Sequence, residues 1–234
     1  MRQLFKHRNL DNSDGLRIVK SQNLKVKSFV ETKTTPRKLR RGLKGVSLLT
    51  FLIFCVFTTF LTPSNFFEGK IYPANNREYQ KLLLPRLKSA KNSIYIIMFL
   101  ASYYPEYPDS PTNVFLKELI EAKKRGVNIE VILNQSDNNS SSHTTIENLK
   151  TARYLSNSGI SVYFTPPDKT THSKVLVIDS RYVVIGSANW SYSAMEKNNE
   201  TSVIIDSPKL AEFYIKHFEE IKKECLLLIQ PAGK

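Results

Sequence analysis

Two spacings of apolar residues alternate along most of the chain. Continuous or every-second apolar positions predict strands that start at residue 71 and cover 93–101, 127–133, 160–164 and 202–205. Apolar positions three or four residues apart predict helices over 77–88, 112–125, 144–156 and 207–224. Strands that alternate with helices in this way favour an α/β fold in which helices flank a mixed sheet.

A β-hairpin is predicted before the last of these strands. Two short runs rich in β-branched residues flank a polar turn that begins at Asp179, and the runs are 174–178 and 182–186. His172 and Lys174 are two residues apart, so their side chains are expected on one face of the first strand. Gly186 ends the second strand, where the missing Cβ atom lets backbone N–H groups approach an anion. Asp179 is expected to hold the turn at the far end.

Four polar residues are thereby placed near one end of the hairpin: His172, Lys174, Ser187 and Asn189. Taken singly, each has an ordinary explanation, since a lone His is more often structural and Ser-Ala-Asn after a strand is usually a turn. Together they supply an imidazole, a cation, a hydroxyl and an amide, which can act on one phosphate. The full spacing, H-x-K-x4-D-x6-G-S-x-N, therefore indicates a phosphodiester site.

The run from His172 to Asn189 resembles the H-K-D motif of the phospholipase D superfamily at every defined position. Glu200, eleven residues further on, stands where that family often has an acidic residue. A wider stretch, 93–224, is similar to the small bacterial endonucleases of the superfamily that carry one copy of the motif. The resemblance implies a phospholipase D-like mixed sheet flanked by helices, and it says nothing about residues 1–65.

The resemblance also implies a mechanism. His172 is expected to attack phosphorus and form a phosphohistidine, while Lys174, Ser187 and Asn189 hold the phosphate oxygens. Glu200 is expected to orient His172 and to stabilise its cationic form. We expect no metal ion and no cofactor. Because the family brings two copies of the motif to one site and this chain has one, a homodimer with a composite active site is expected.

Positive charge is concentrated at the amino-terminal end of the chain. The net charge is +13, and residues 1–44 hold 13 Lys and Arg against 3 acidic residues. That segment has few periodic apolar positions and is predicted to be a flexible basic tail. The remaining residues include 21 basic and 18 acidic side chains, so the predicted catalytic part is barely basic.

Seventeen residues without a charge, 45–61, follow a dense basic cluster. A stretch of that length can cross a bilayer, so we expect a transmembrane helix at 45–61, a linker at 62–70 and a catalytic domain at 71–234. A cleaved signal peptide and a buried core helix are the alternatives. With the basic cluster in the cytoplasm, the catalytic domain would face the opposite side, which is periplasmic or extracellular in a bacterium.

The substrate stays open at the level of sequence. An endonuclease acting on DNA or RNA is the first expectation. A phospholipase D acting on phospholipid or cardiolipin headgroups is the alternative, and an inactive membrane-tethered binding module is a third. The loop 101–111, with three Tyr and three Pro, suits base stacking, a lipid interface or a plain connection. Zinc is poorly supported, because His143, His172 and His217 lack partners at ligand spacing, and Cys55 and Cys225 are not expected to pair.

Overall fold

The structure of the protein is a computed structural model that describes residues 18–20, 66–135 and 142–228. The chain divides into two compact units, residues 1–21 with 68–234 and residues 22–67. Nearly all of the described residues belong to the first unit, which contains every helix and strand reported below.

Nine strands and five helices lie in this described part of the chain. The strands are Ile18–Lys20 (β1), Lys70–Pro73 (β2), Ser93–Met98 (β3), Asn128–Leu133 (β4), Ser161–Phe164 (β5), Lys174–Ile178 (β6), Tyr182–Gly186 (β7), Ser202–Asp206 (β8) and Leu226–Leu228 (β9). The helices are Glu78–Ser89 (α1), Pro111–Lys124 (α2), His143–Ser156 (α3), Tyr192–Glu196 (α4) and Pro208–Lys222 (α5). All nine strands form one mixed sheet in the order β1-β9-β5-β4-β3-β6-β7-β8-β2.

The two faces of this sheet are covered by different helices. One face carries the larger core, to which α1, α2 and α3 contribute side chains such as Leu83, Phe115 and Leu155. On the other face, α5 packs through Ala211 and Phe218. Burial on both faces explains why all five residues of β6 are buried and why β3 and β6 read as nearly continuous apolar runs. The predicted α/β fold, a mixed sheet flanked by helices, is confirmed.

Local sequence accounts for where several helices begin and end. Ser207 caps α5, because its side chain accepts a hydrogen bond from the Leu210 N–H, and Pro208 follows as the first helical residue. Gly126 follows the carboxyl end of α2 with φ of 92°, a left-handed conformation that suits glycine. The predicted boundaries of these two helices agree with the structure to within two residues.

Strand directions bring many chain segments to one end of the sheet. β3 and β4 are parallel, and both finish at this end, with Met98 paired to Leu133. β6 runs antiparallel to β3 and starts there, since Lys174 is paired with Met98. The last residue of β7, Gly186, pairs with the first residue of β8. We call this end of the strands the Met98 end, and the opposite end, where the β6–β7 turn lies, the Asp179 end.

The expectation of a single-pass membrane protein is corrected by the structure. Within residues 66–135 and 142–228, no helix is long and apolar enough to cross a bilayer. The longest, α5, has 15 residues, whereas a span needs about 20. The predicted helix at 45–61 and most of the tail at 1–44 lie outside the described residues. Inside that tail, β1 pairs antiparallel with β9, and the predicted domain boundaries stay predictions.

Candidate active site

The residues predicted to act on a phosphate all lie at the Met98 end of the sheet. His172 and Lys174 enter it at the start of β6, Ser187 and Asn189 follow β7, and Glu200 precedes β8. The strand begins at Lys174, so His172 lies just before it rather than on it. The start of β6, the end of β7 and the start of β8 therefore place all five predicted site residues at the Met98 end.

Phe99, the first residue after β3, contacts both His172 and Lys174. Its ring centroid lies 4.5 Å from that of the exposed His172 imidazole, with an interplanar angle of 60°. The Lys174 ammonium lies 4.9 Å from the centroid of the same phenyl ring. Lys174 Nζ also donates a hydrogen bond of 2.8 Å to the His172 carbonyl oxygen. No pattern in the sequence predicted this role of Phe99, apart from its position directly after a buried strand.

Lys174 is a nearly buried cation. Its side chain is only 7% exposed, and this burial lowers its pKa, while the negative charge of Glu200 acts in the opposite direction. A charge in such surroundings is poorly screened, so it interacts strongly with an anion that reaches it. The Lys174 ammonium is therefore well placed to bind an oxygen of a phosphate group.

Glu200 is held through both of its carboxylate oxygens. Ser187 Oγ donates a hydrogen bond to Oε2, and Asn198 Nδ2 donates one of 2.9 Å to Oε1. Ser187 Oγ also accepts from the Thr201 N–H at 3.0 Å, and the Ser187 N–H donates to the Thr201 carbonyl at 2.9 Å. The single hydroxyl proton of Ser187 is thus engaged by Glu200. A direct contact between Ser187 and phosphate would require this bond to open.

The turn between β2 and α1 positions the segment that carries Glu200. Asn76 Oδ1 accepts a hydrogen bond of 2.7 Å from the Glu200 N–H, and the Asn76 N–H donates one of 3.0 Å to the Glu200 carbonyl. Asn76 has φ of 50°, in the left-handed region that Asn tolerates better than most residues. The Arg77 guanidinium donates to the carbonyls of Asn198, at 2.9 Å, and Glu196. In the described residues no hydrogen bond joins Glu200 to His172, so its predicted orienting role stays a prediction.

Asn189 has a polar atom without a hydrogen-bond partner among the described residues, and it precedes the firmly held Trp190. Its side-chain oxygen is buried and accepts no hydrogen bond from the described residues. The next residue, Trp190, donates from its N–H to Leu100 O at 3.0 Å and accepts from Ser102 N at 2.8 Å. Its indole N–H donates to the Tyr79 hydroxyl at 3.1 Å, and burial raises the pKa of Tyr79. An unpaired buried polar group costs free energy, so the Asn189 oxygen is available to accept a hydrogen bond from a donor.

A buried amide connects the chain segments that carry Phe99 and His172. Asn148 Nδ2 donates to the carbonyls of Phe99, at 2.9 Å, and Asn134, at 2.8 Å, while its Oδ1 accepts from Ala101 N at 2.9 Å. Asn134 Oδ1 in turn accepts a bond of 2.8 Å from the N–H of Thr171, the residue before His172. These satisfied bonds hold the two segments in one arrangement.

The contacts of Asp179 and Gly186 indicate structural roles for both residues. The Asp179 carboxylate accepts hydrogen bonds of 2.7 to 3.1 Å from the backbone N–H groups of residues 91–93. It lies at the opposite end of β6 from His172, about 20 Å away at the usual rise per residue. At Gly186 a Cβ atom would lie 2.6 Å from the Thr201 carbonyl and would clash with the Ser202 side chain. Only glycine fits there without movement.

The other described histidines lie on helices, and the described cysteine lies just before β9. His143 begins α3 and His217 lies on α5. Cys225 is buried and unpaired, and burial raises its pKa to about 12, while Cys55 lies outside the described residues. Across the ranges 66–135 and 142–228, no three His, Cys, Asp or Glu side chains are grouped so that they could hold a metal ion.

Residues 83–222 match the protein family described as "Cardiolipin synthase, PLD-like domain". Because the match covers more than half of the chain, and its fold and motif agree, the chain belongs to this phospholipase D-like family. The predicted superfamily is thereby confirmed, and with it the class of enzyme, a hydrolase of the phospholipase D superfamily.

Three relatives show how similar the chain is to individual proteins. The chain is 28% identical over 138 residues to a phospholipase D of Rickettsia prowazekii, covering 59% of this chain and 60% of that protein. It is 31% identical over 168 residues to a 5'-3' exonuclease of Xenopus tropicalis, covering 65% of this chain and 32% of that protein. The crystal structure of Nuc, a phospholipase D family member from Salmonella typhimurium, is similar with a TM-score of 0.58 and 26% identity, covering 70% of this chain and 100% of Nuc. The chain thus spans about 60% of the length of the Rickettsia protein.

Proposed function

We propose that the chain hydrolyses phosphodiester bonds with His172 as the nucleophile. The observation that carries this proposal is an exposed imidazole and a nearly buried lysine cation held against one phenyl ring. A ring nitrogen of His172 attacks phosphorus, and the N–P bond forms as the P–O bond to the leaving alcohol breaks. Water then attacks the phosphohistidine, which forms a new P–O bond and releases His172.

Negative charge develops on the non-bridging phosphate oxygens during both steps. Lys174 is the cation that meets this charge, and the Nδ2 amide group of Asn189, at the same end of the sheet, is a second donor to the phosphate oxygens. Fixed donors in a poorly solvated site stabilise such charge strongly. We therefore propose a reaction that needs no metal ion, with Lys174 in the place that a metal takes elsewhere.

Glu200 supports the cationic form of Lys174 in this proposal. Its negative charge raises the pKa of Lys174 against the effect of burial, and Ser187 and Asn198 hold the carboxylate in place. Orientation of a His172 imidazole by the same carboxylate, as the resemblance implies, is a further part of the proposal.

The leaving oxygen must gain a proton and the attacking water must lose one, which requires a second acid-base group. His217 lies on α5, which covers the opposite face of the sheet from α1, α2 and α3. We propose that a second copy of the chain supplies its own His172 across a two-fold axis, so that the active unit is a homodimer.

Two substrate classes have support. Nucleic acid is supported by the likeness to a protein named as an exonuclease. Phospholipid is supported by the likeness to proteins named phospholipase D, and also by a specific observation. The charged residues that line the cavity between the loop after β3 and α4 are acidic rather than basic, which disfavours the backbone of a nucleic acid in that cavity.

The test is hydrolysis of labelled single-stranded DNA, RNA and phospholipid vesicles by the full chain in EDTA. His172→Ala is the inactive variant and His217→Ala is its matched control. We expect the wild type and His217→Ala to cleave one of these substrates in the chelator, and His172→Ala to cleave none. Residual turnover by His172→Ala, or loss of wild-type activity in EDTA, would contradict the mechanism. Sedimentation of the active protein as a monomer would contradict the dimer.

A further inference from the structure

Helix α3 places a stripe of polar side chains in the interior of the protein. Thr145, Asn148 and Thr151 follow one another at intervals of three residues, and they are 2%, 0% and 0% exposed. Residues at this spacing lie on one face of a helix. An apolar stripe would pack there without the free-energy cost of burying polar groups. The polar stripe therefore indicates that its hydrogen bonds serve a purpose other than packing.

The Asn148 amide binds the chain where β3 and β4 end. Its Nδ2 group donates to the carbonyls of Phe99, at 2.9 Å, and Asn134, at 2.8 Å. The Phe99 N–H donates to the Ser173 carbonyl at 2.9 Å, so the Phe99 backbone is held between α3 and the residue that follows His172. Asn148 therefore determines where the Phe99 ring lies beside the His172 imidazole.

Asn134 extends this support to the proposed nucleophile. It is 0% exposed, its carbonyl accepts from Asn148, and its Oδ1 accepts a bond of 2.8 Å from the Thr171 N–H. Thr171 precedes His172, so two amide side chains in series connect α3 to the backbone of that residue. Hydrogen bonds between groups that are shielded from water are stronger than those in solvent. The position of His172 therefore depends on that of Asn148.

Thr151, one turn after Asn148, supports the segment that carries Asn189. The Ala101 N–H donates to Asn148 Oδ1 at 2.9 Å, and the Ala101 carbonyl accepts from Thr151 Oγ1 at 2.6 Å. Ala101 in turn forms a parallel bridge with Trp190, the residue after Asn189. One face of α3 therefore supports a proposed phosphate-binding amide as well as the proposed nucleophile.

We infer that Asn148 and Thr151 are positioning residues for the proposed reaction. Both are 0% exposed and bond to backbone groups, so they act through other residues and touch no substrate. The inference rests on the proposed function, because it takes His172 as the nucleophile. Displacing a reacting group slows the chemical step more than it weakens substrate binding. Loss of these hydrogen bonds should therefore lower kcat and leave KM nearly unchanged.

Steady-state kinetics of the full chain on its preferred phosphodiester is the first part of the test. Thr151→Val should lower kcat about tenfold and keep KM within about twofold of the wild type. Thr151→Ser retains the hydroxyl and should restore the wild-type kcat. Thr112→Val is the matched control, because Thr112 is also 0% exposed but its hydroxyl has no hydrogen-bond partner among the described residues. An unchanged kcat for Thr151→Val, an equal loss in Thr112→Val or a change in KM alone would overturn the inference.

NMR spectra of the His172 imidazole test the inference without turnover. The ring current of Phe99 shifts the imidazole C–H signals, because the two centroids are 4.5 Å apart, and the spectrum of His172→Ala identifies these signals. Asn148→Leu and Thr151→Val should move them, and Thr112→Val should not. Thermal unfolding of each variant identifies the folded ones. If Asn148→Leu does not fold, Thr151→Val, which removes a single bond, decides the result. Unmoved His172 signals in folded Thr151→Val would overturn the inference.

The two measurements separate this inference from the proposed function. A wild type that cleaves no phosphodiester would refute the proposed function, and the His172 signals would then support or overturn the inference by themselves. Cleavage that disappears in His172→Ala but is unaffected by Thr151→Val and Asn148→Leu would overturn the inference and leave the proposed function intact.

Discussion

The His172 imidazole and the Phe99 ring meet edge to face, with centroids 4.5 Å apart, although 73 residues separate them in the sequence. Pairing of Met98 with Lys174 between β3 and β6 produces this contact. A one-residue slip in that register would turn Lys174 to the opposite face of the sheet and away from the ring. The register of two buried strands therefore determines whether the imidazole and the cation both meet the Phe99 ring.

Replacing Phe99 with Leu should reduce kcat/KM about tenfold, because an apolar side chain remains but the ring face beside the Lys174 ammonium is lost. Phe99→Tyr keeps the ring and should stay near the wild-type rate. Steady-state kinetics on the preferred phosphodiester, with thermal unfolding of each variant, separates loss of activity from loss of folding. Wild-type kinetics for Phe99→Leu would mean that the ring contact does not contribute to activity.

Lys174→Met should abolish activity and yet stabilise the fold at neutral pH by about 1 kcal/mol, because burying an ammonium costs free energy that a thioether does not. The pKa of Lys174 is lower in the folded protein than in the unfolded chain. The cost is therefore fully present below the folded pKa and is relieved as pH rises through it, so the difference between variant and wild type should shrink at alkaline pH. Urea unfolding at pH 7 and pH 10 measures this. A Met variant less stable than wild type at pH 7 would show that the cation is net stabilising.

Asn76→Gly should impair activity more than Asn76→Asp. Glycine adopts φ of 50° easily but cannot accept the hydrogen bond from the Glu200 N–H, whereas Asp keeps an acceptor there. With Glu200 displaced, its charge no longer raises the pKa of Lys174, so the alkaline limb of the rate profile should move to lower pH. A pH profile of kcat/KM for both variants provides the measurement. An alkaline limb unchanged in the Gly variant would argue that Asn76 has no positioning role.

Asp179→Ala should destabilise the fold by about 2 kcal/mol, because three backbone N–H groups lose a charged acceptor. Asp179→Asn should cost less, since an amide oxygen can still accept and Asn tolerates the φ of 53° at this position. Both variants should retain the activity of the folded protein. Urea unfolding and kinetics on the soluble fraction test this, and a folded Ala variant without activity would place Asp179 in the chemistry after all.

The sequence predicted what is local. The two strands of the hairpin have the predicted bounds, because β-branched runs flank a polar turn within thirteen residues. Four of the five site residues were found because they lie within eighteen residues of one another and match a family motif, and Glu200 was found eleven residues beyond them. From β2 to α5 the order of strands and helices, apart from the short α4, also follows the pattern of apolar positions.

Long-range contacts could not be predicted in this way. Asn76 and Glu200 are 124 residues apart, and their hydrogen bond exists only because β2 lies beside β8 at the edge of the sheet. The three-residue strands β1 and β9 were also missed, since they are too short to show a period and pair with strands distant in sequence, β1 with β9 and β9 also with β5. Short elements and partners distant in sequence become visible only when the order of strands is known.

The two ends of the central strands differ in what a substitution there can change. Loops at the Met98 end carry His172, Asn189 and Glu200, and exchange of these loops can alter which bond is broken or which molecule is accepted. At the other end, the Asp179 carboxylate ties the hairpin to residues 91–93 and makes no contact with the candidate chemistry. Descendants of such a chain can thus acquire new specificities at the Met98 end, while the Asp179 end maintains the amount of folded protein in the cell.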